Sequence, residues 1–64
     1  MNAPELFTLP EAADTLRISK SYLYKLVERR EIPFFKIGRR IIFKPDDLNA
    51  WLEHRYQPAA GGVR

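Results

Sequence analysis

The chain has 64 residues, no cysteine and one histidine, so a single small core must hold it without disulfides or a thiolate metal site, and His54 alone makes no metal cluster. Eleven Lys and Arg outweigh eight Asp and Glu for a formal net charge of +3, and 45% of the residues are hydrophobic, including seven Phe or Tyr and one Trp. Apolar runs of two or three residues exclude a membrane span, and no basic segment leads into an apolar stretch as a signal peptide does, so the expected compartment is the cytoplasm.

The first element is announced by Thr8, with Glu11 three residues on: a capping box, in which each side chain bonds the other's backbone N–H. Pro10 suits a first turn, where N–H groups lack partners anyway. Leu9, Ala12, Ala13 and Leu16 then recur at helical spacing over about two turns, and the alanines let a second helix come close. Ahead of them, Leu6 and Phe7 form a short extended piece. Arg17 and Ile18 lead to Ser19, an N-cap for a second helix from Lys20 to about Arg30. Its apolar face is Leu23, Leu26 and Val27, with Ile18 just before. Its other face shows Lys20, Ser21, Tyr22, Lys25 and Arg29. Ile32-Pro33 is expected to end it, because the residue before proline is pushed out of helical geometry.

Phe34-Phe35-Lys36-Ile37 and Arg40-Ile41-Ile42-Phe43 flank Gly38-Arg39 and read as a two-residue hairpin, Gly38 supplying positive φ. Lys36, Arg39 and Arg40 ring its tip, and Phe35, Ile37, Ile41 and Phe43 are expected to supply its packing side. Lys44-Pro45-Asp46-Asp47 opens a last helix, with proline in the first turn and acids against the positive dipole end. Leu48, Trp51 and Leu52 are its expected inward stripe, extending toward Tyr56, with Trp51 as the core anchor and His54 complementing the dipole. Gln57-Pro58 stops it. The expected domain is 1–56, and 57–64 is expected to be a disordered tail.

The order is helix, tight turn, helix, hairpin, helix: a small α+β winged helix-turn-helix. Charge follows the same order. Lys20, Lys25, Arg29, Arg30, Lys36, Arg39, Arg40 and Lys44 fill the middle, where Glu28 and Glu31 are the acids between residues 15 and 45. Charge alone fits a polyanion-binding face and an ordinary solvated surface equally well. A basic helix of groove-filling size next to a basic hairpin favours duplex DNA. Lys20, Ser21, Tyr22 and Lys25 lie where a recognition helix meets base edges, with Arg29 toward phosphate. Arg39 and Arg40, assisted by Lys36, suit phosphate or a narrow minor groove. Lys44 adds long-range charge. Tyr24 and Ser19 are secondary candidates for phosphate, Tyr24 with its ring toward the core and Ser19 through the N–H groups that it borders.

The segments Leu9-Pro10-Glu11-Ala12-Ala13, Ser19-Lys20-Ser21-Tyr22-Leu23-Tyr24-Lys25-Leu26, Ile32-Pro33, Ile37-Gly38-Arg39-Arg40 and Asp47-Leu48-Asn49-Ala50-Trp51-Leu52, in that order, resemble the excisionase-type helix-turn-helix family, related in fold to MerR-like winged helices. The resemblance covers roughly residues 6 to 53. It implies a recombination directionality factor that binds and bends DNA near a mobile-element end and steers an integrase toward excision. Two positions depart from the family's pattern. Arg17 and Arg30 stand where glycine is usual, so Arg17 in a left-handed conformation costs about 1 kcal/mol and Arg30 is expected to let the second helix run longer. No heptad helix or long arm follows Trp51, and so small a domain makes few base contacts. Site occupancy is therefore expected to need neighbouring copies or a partner protein. A small transcriptional regulator of a prophage or other operon is the alternative within DNA binding. A protein-interaction module using the basic face is the alternative outside it. Nothing in the sequence suggests an enzyme, a cofactor or a metal site.

Overall fold

A computed structural model describes residues 5–58. In chain order the elements are β1 (Phe7–Thr8), α1 (Leu9–Leu16), α2 (Lys20–Glu28), β2 (Phe35–Ile37), β3 (Arg40–Phe43) and α3 (Pro45–His54). This is a winged helix-turn-helix. The expected tail falls largely on residues 59–64, which lie outside the described residues.

The capping box forms as expected: the Thr8 N–H donates to Glu11 Oε1 at 2.9 Å, and the Glu11 N–H donates to Thr8 Oγ1 at 3.3 Å. Ser19 Oγ accepts from the Tyr22 N–H at 3.0 Å and starts α2. Both helices end in the same way. Arg17 sits at φ 62°, its N–H bonded to the Asp14 carbonyl, while the Ile18 N–H reaches back to Ala13 at 3.0 Å. Arg30 sits at φ 56°, with Arg30 N–H to Val27 at 3.0 Å and Glu31 N–H to Leu26 at 2.9 Å. Each is a Schellman motif, in which a left-handed residue turns the chain back on the helix's last carbonyls. The expected extension of α2 through Arg30 is therefore wrong. Arg30 takes the conformation that glycine would take, and it stops the helix before Ile32-Pro33 is reached.

The sheet has three strands, in the order β1-β3-β2, all antiparallel. The extended piece before α1 joins the hairpin: Phe7 pairs with Phe43 and Thr8 with Ile42. A two-stranded ribbon is marginal alone, and β1 makes β3 a central strand. Across the wing, Phe35 faces Ile42, Lys36 faces Ile41 and Ile37 faces Arg40. Cross-strand partners share a face and successive residues alternate. Ile41 and Phe43 therefore look toward the helices with Phe7 and Lys36, whereas Phe35 and Ile37 look outward with Ile42 and Arg40. This corrects the single packing side expected above. Phe43 is fully buried, while Ile37 is 59% exposed. Ile42 is nearly covered because its neighbours on both flanking strands are side chains of the same face.

The core joins Ala12 and Ala13 of α1, Leu23, Leu26 and Val27 of α2, Ile32, Phe43 and Leu48. The two alanines stand at the approach of α1 to α2, where larger side chains would hold the helices apart. Helix α3 meets this core through Leu48 and the half-buried Trp51. Leu52 and Tyr56 are exposed rather than inward. With Leu48 and Trp51 against the core, Leu52 falls on the rim of the stripe.

Two stability predictions follow from these contacts. Phe43→Ala should cost about 3–5 kcal/mol, comparable with the whole stability that a core this small supplies. Circular dichroism at room temperature should then show a largely unfolded chain, and a melt close to that of the parent would contradict the assignment. Arg17→Gly and Arg30→Gly should each stabilise by about 0.5–1 kcal/mol in urea titrations, since glycine reaches φ near +60° without a Cβ clash.

Candidate nucleic-acid interface

The exposed side of α2 is defined by what it buries. With Leu23, Leu26 and Val27 inward, a period of about 100° per residue puts Ser21, Lys25 and Glu28 directly outward. Lys20 and Tyr24 lie on the flank nearer the wing, and Tyr22 and Arg29 on the opposite flank. All seven are exposed, and the two tyrosines are each 50% accessible. The Ser19 hydroxyl oxygen is engaged as the helix cap, in keeping with a cap first and a ligand contact second.

At the wing tip Gly38 takes φ +61° at the first turn position, the conformation expected of a Gly-X hairpin, and no atom crowds the space that a Cβ would fill. Glycine is needed there for its backbone alone. Lys36, Arg39 and Arg40 are all exposed, but they do not form one ring. Lys36 shares the helix-facing side with Ile41, Arg40 shares the outer side with Ile37, and Arg39 stands at the turn. The register separates cations that adjacency in sequence places together.

Between α2 and the wing lies a groove of about 240 Å³, lined by Tyr24, Val27, Glu28, Arg30, Phe34, Lys36 and Ile41. Val27, Phe34 and Ile41 supply its apolar wall, and the other four its polar rim. Tyr24 stands on the rim of this groove beside the wing and is not a core residue. The structure thus brings Tyr24 and Lys36 together and leaves Tyr22 and Arg29 on the far flank of the helix. Glu28 and Arg30 belong to the groove, and sequence reasoning passed over both. Counting one and two turns on from Ser21 finds Glu28. Arg30 has no comparable signal, because it enters the groove through the left-handed stop and not through the helical repeat.

Helix α3 is bonded to the segment between α2 and the wing. Trp51 Nε1–H donates to the Glu31 carbonyl at 2.9 Å, and the Arg55 guanidinium lies 4.3 Å from the Trp51 ring centroid. The segment joining α2 to the wing is thereby tied to α3.

A family model described as a helix-turn-helix domain matches residues 6–56. The chain belongs to that family. The match spans both helices, the wing and α3, so this helix-turn-helix domain includes every residue of the surface just described. Such a domain supports sequence-specific DNA binding. No curated protein and no solved structure gives a significant match to the chain. No helix among the described residues is long and apolar enough to cross a membrane, and those residues hold no cluster of three or more metal-ligating side chains.

If the Trp51–Glu31 bond fixes the helix-to-wing joint, Trp51→Phe should lose about 1 kcal/mol of stability while keeping most of the ring's packing. Urea unfolding measures the loss. An unchanged midpoint would remove the bond from the account.

Proposed function

We propose that this helix-turn-helix domain is an excisionase-type recombination directionality factor, which binds and bends duplex DNA near a mobile-element end and directs an integrase toward excision. The observation that carries the DNA-binding part is the pairing of two exposed basic surfaces, the outward face of α2 and the wing, on one core. The ordered motifs from Glu11-Ala12-Ala13 to Ala50-Trp51-Leu52 support the excisionase part by their resemblance to that family.

In this reading α2 enters the major groove, where Lys20, Ser21, Tyr22 and Lys25 reach base edges from its first two turns. Arg29, further along, meets phosphate. Arg39 and Arg40 hold the neighbouring backbone or minor groove, with Lys36 adding charge from the inner side of the wing. The Tyr24 hydroxyl and the free N–H groups behind Ser19 supply further phosphate contacts. One copy reads few base pairs, so neighbouring copies on adjacent sites, or the integrase, complete the specificity.

Charge-based binding makes affinity fall linearly on a log–log plot against salt, by about 0.9 in slope for each phosphate neutralised. Replacing Arg39 and Arg40 together by alanine should lower that slope by roughly 1.8 and weaken binding to all duplexes alike. Lys25→Ala should in addition relax the preference at one base pair. Equal effects of the two variants on random and selected DNA would refute this division between reading and gripping. Adding the protein to an integrase reaction on paired attachment sites should raise excision over integration. No shift in that ratio would remove the directionality role and leave DNA binding standing.

A further inference from the structure

Glu28 stands where the helix dipole opposes an acid. It is the last residue of α2, so its carboxylate meets the negative end of the helix dipole. It also lies in line with Ser21 and Lys25 on the outward face, where every other exposed side chain of the helix is neutral or cationic. Its polar neighbours on the groove rim are Tyr24, Arg30 and Lys36, two of them cations. A phosphate brought to this spot is repelled by the carboxylate. The major-groove edge of cytosine is different, because its N4 amine is a donor that a carboxylate accepts.

We propose that Glu28 is a specificity-determining residue of the DNA interface, its carboxylate accepting a hydrogen bond from a cytosine amine and repelling phosphate in any other register. The inference rests on α2 being the recognition helix. Arg30 and Lys36 offset the cost of bringing the acid to a polyanion, since both stand on the same groove rim. The helical rise places Glu28 about 4.5 Å beyond Lys25 along the axis, close to one base-pair step of about 3.4 Å. The base pair that Glu28 reads is therefore expected within two base pairs of the one read by Lys25.

The test is selection of bound sites from a random-core duplex pool by the full chain and its Glu28→Gln and Lys25→Ala variants. Affinities for the best site and for an unrelated duplex of equal length complete it. Glu28→Gln keeps the side chain's size at an exposed position, and a parent-like circular dichroism melt establishes that the fold is intact. The expected result is a cytosine preference, within two base pairs of the position relaxed by Lys25→Ala, that disappears or turns to adenine in Glu28→Gln. The ratio of specific to unrelated binding should narrow by about 5- to 150-fold, the span of one good side-chain–base pair. A Glu28→Gln profile with the parent's preference at every position, or one altered only farther away, overturns the proposal whatever happens to overall affinity. A parent chain that enriches no duplex overturns the DNA-binding reading itself. That failure is seen in the parent, and the first kind only in the variant.

Discussion

The left-handed turn at Arg30 is the constraint on which the rest of the interface depends. By closing on the Val27 and Leu26 carbonyls it ends α2 after nine residues and reverses the chain. Three consequences come from that one reversal. Ile32 enters the core at 3% exposure, the Glu31 carbonyl turns toward the Trp51 indole, and the strand that follows returns alongside the helix it has just left. A helix running on through Arg30 would carry Ile32 out of the core it shares with Leu26 and Phe43. The groove between Tyr24 and Lys36 exists because the helix stops where it does.

The wing shows how a period of two distributes function. Gly38 and Arg39 as turn residues put Ile37 opposite Arg40, and every side chain in both strands is then assigned to a face. Lys36 is sent toward α2 and Arg40 away from it, so the basic residues address different sides of whatever the wing touches. The same register sends Phe35 and Ile37 outward, against the tendency of large apolar residues to be buried. Phe43 receives the buried position instead, because β1 pairs on that side and α1 covers it. Charge and packing in the wing are thus one decision, made by the length of the turn.

Much of the molecule could be read from its residues. Thr8, Glu11, Ser19, Gly38 and Pro45 act through their own backbone neighbours, and local chemistry of that kind does not wait for a tertiary partner. The buried faces of α1 and α2 followed from helical spacing, and so did the exposed set Lys20, Ser21, Tyr22, Lys25 and Arg29. What was not legible concerns long-range pairing. The hairpin's packing face was assigned to residues of opposite faces, and the inward stripe of α3 was drawn too wide at Leu52 and Tyr56. Only contacts between distant segments decide which edge of an amphipathic element is covered.

Local capping, turn chemistry and helical periodicity were set by the sequence alone, since each acts within about four residues along the chain. These determined a helix-turn-helix followed by a wing, and the cations it displays. The tertiary structure decided the rest: β1 as third strand, Arg30 as a stop rather than an extension, and Trp51 bonded to Glu31. These depend on packing between residues far apart in sequence, where burial outweighs local preference. Arg17 and Arg30 make the case most directly. Their own propensity disfavours φ near +60°, and both adopt it because the hydrogen bonds and core contacts beyond each turn form only in that conformation.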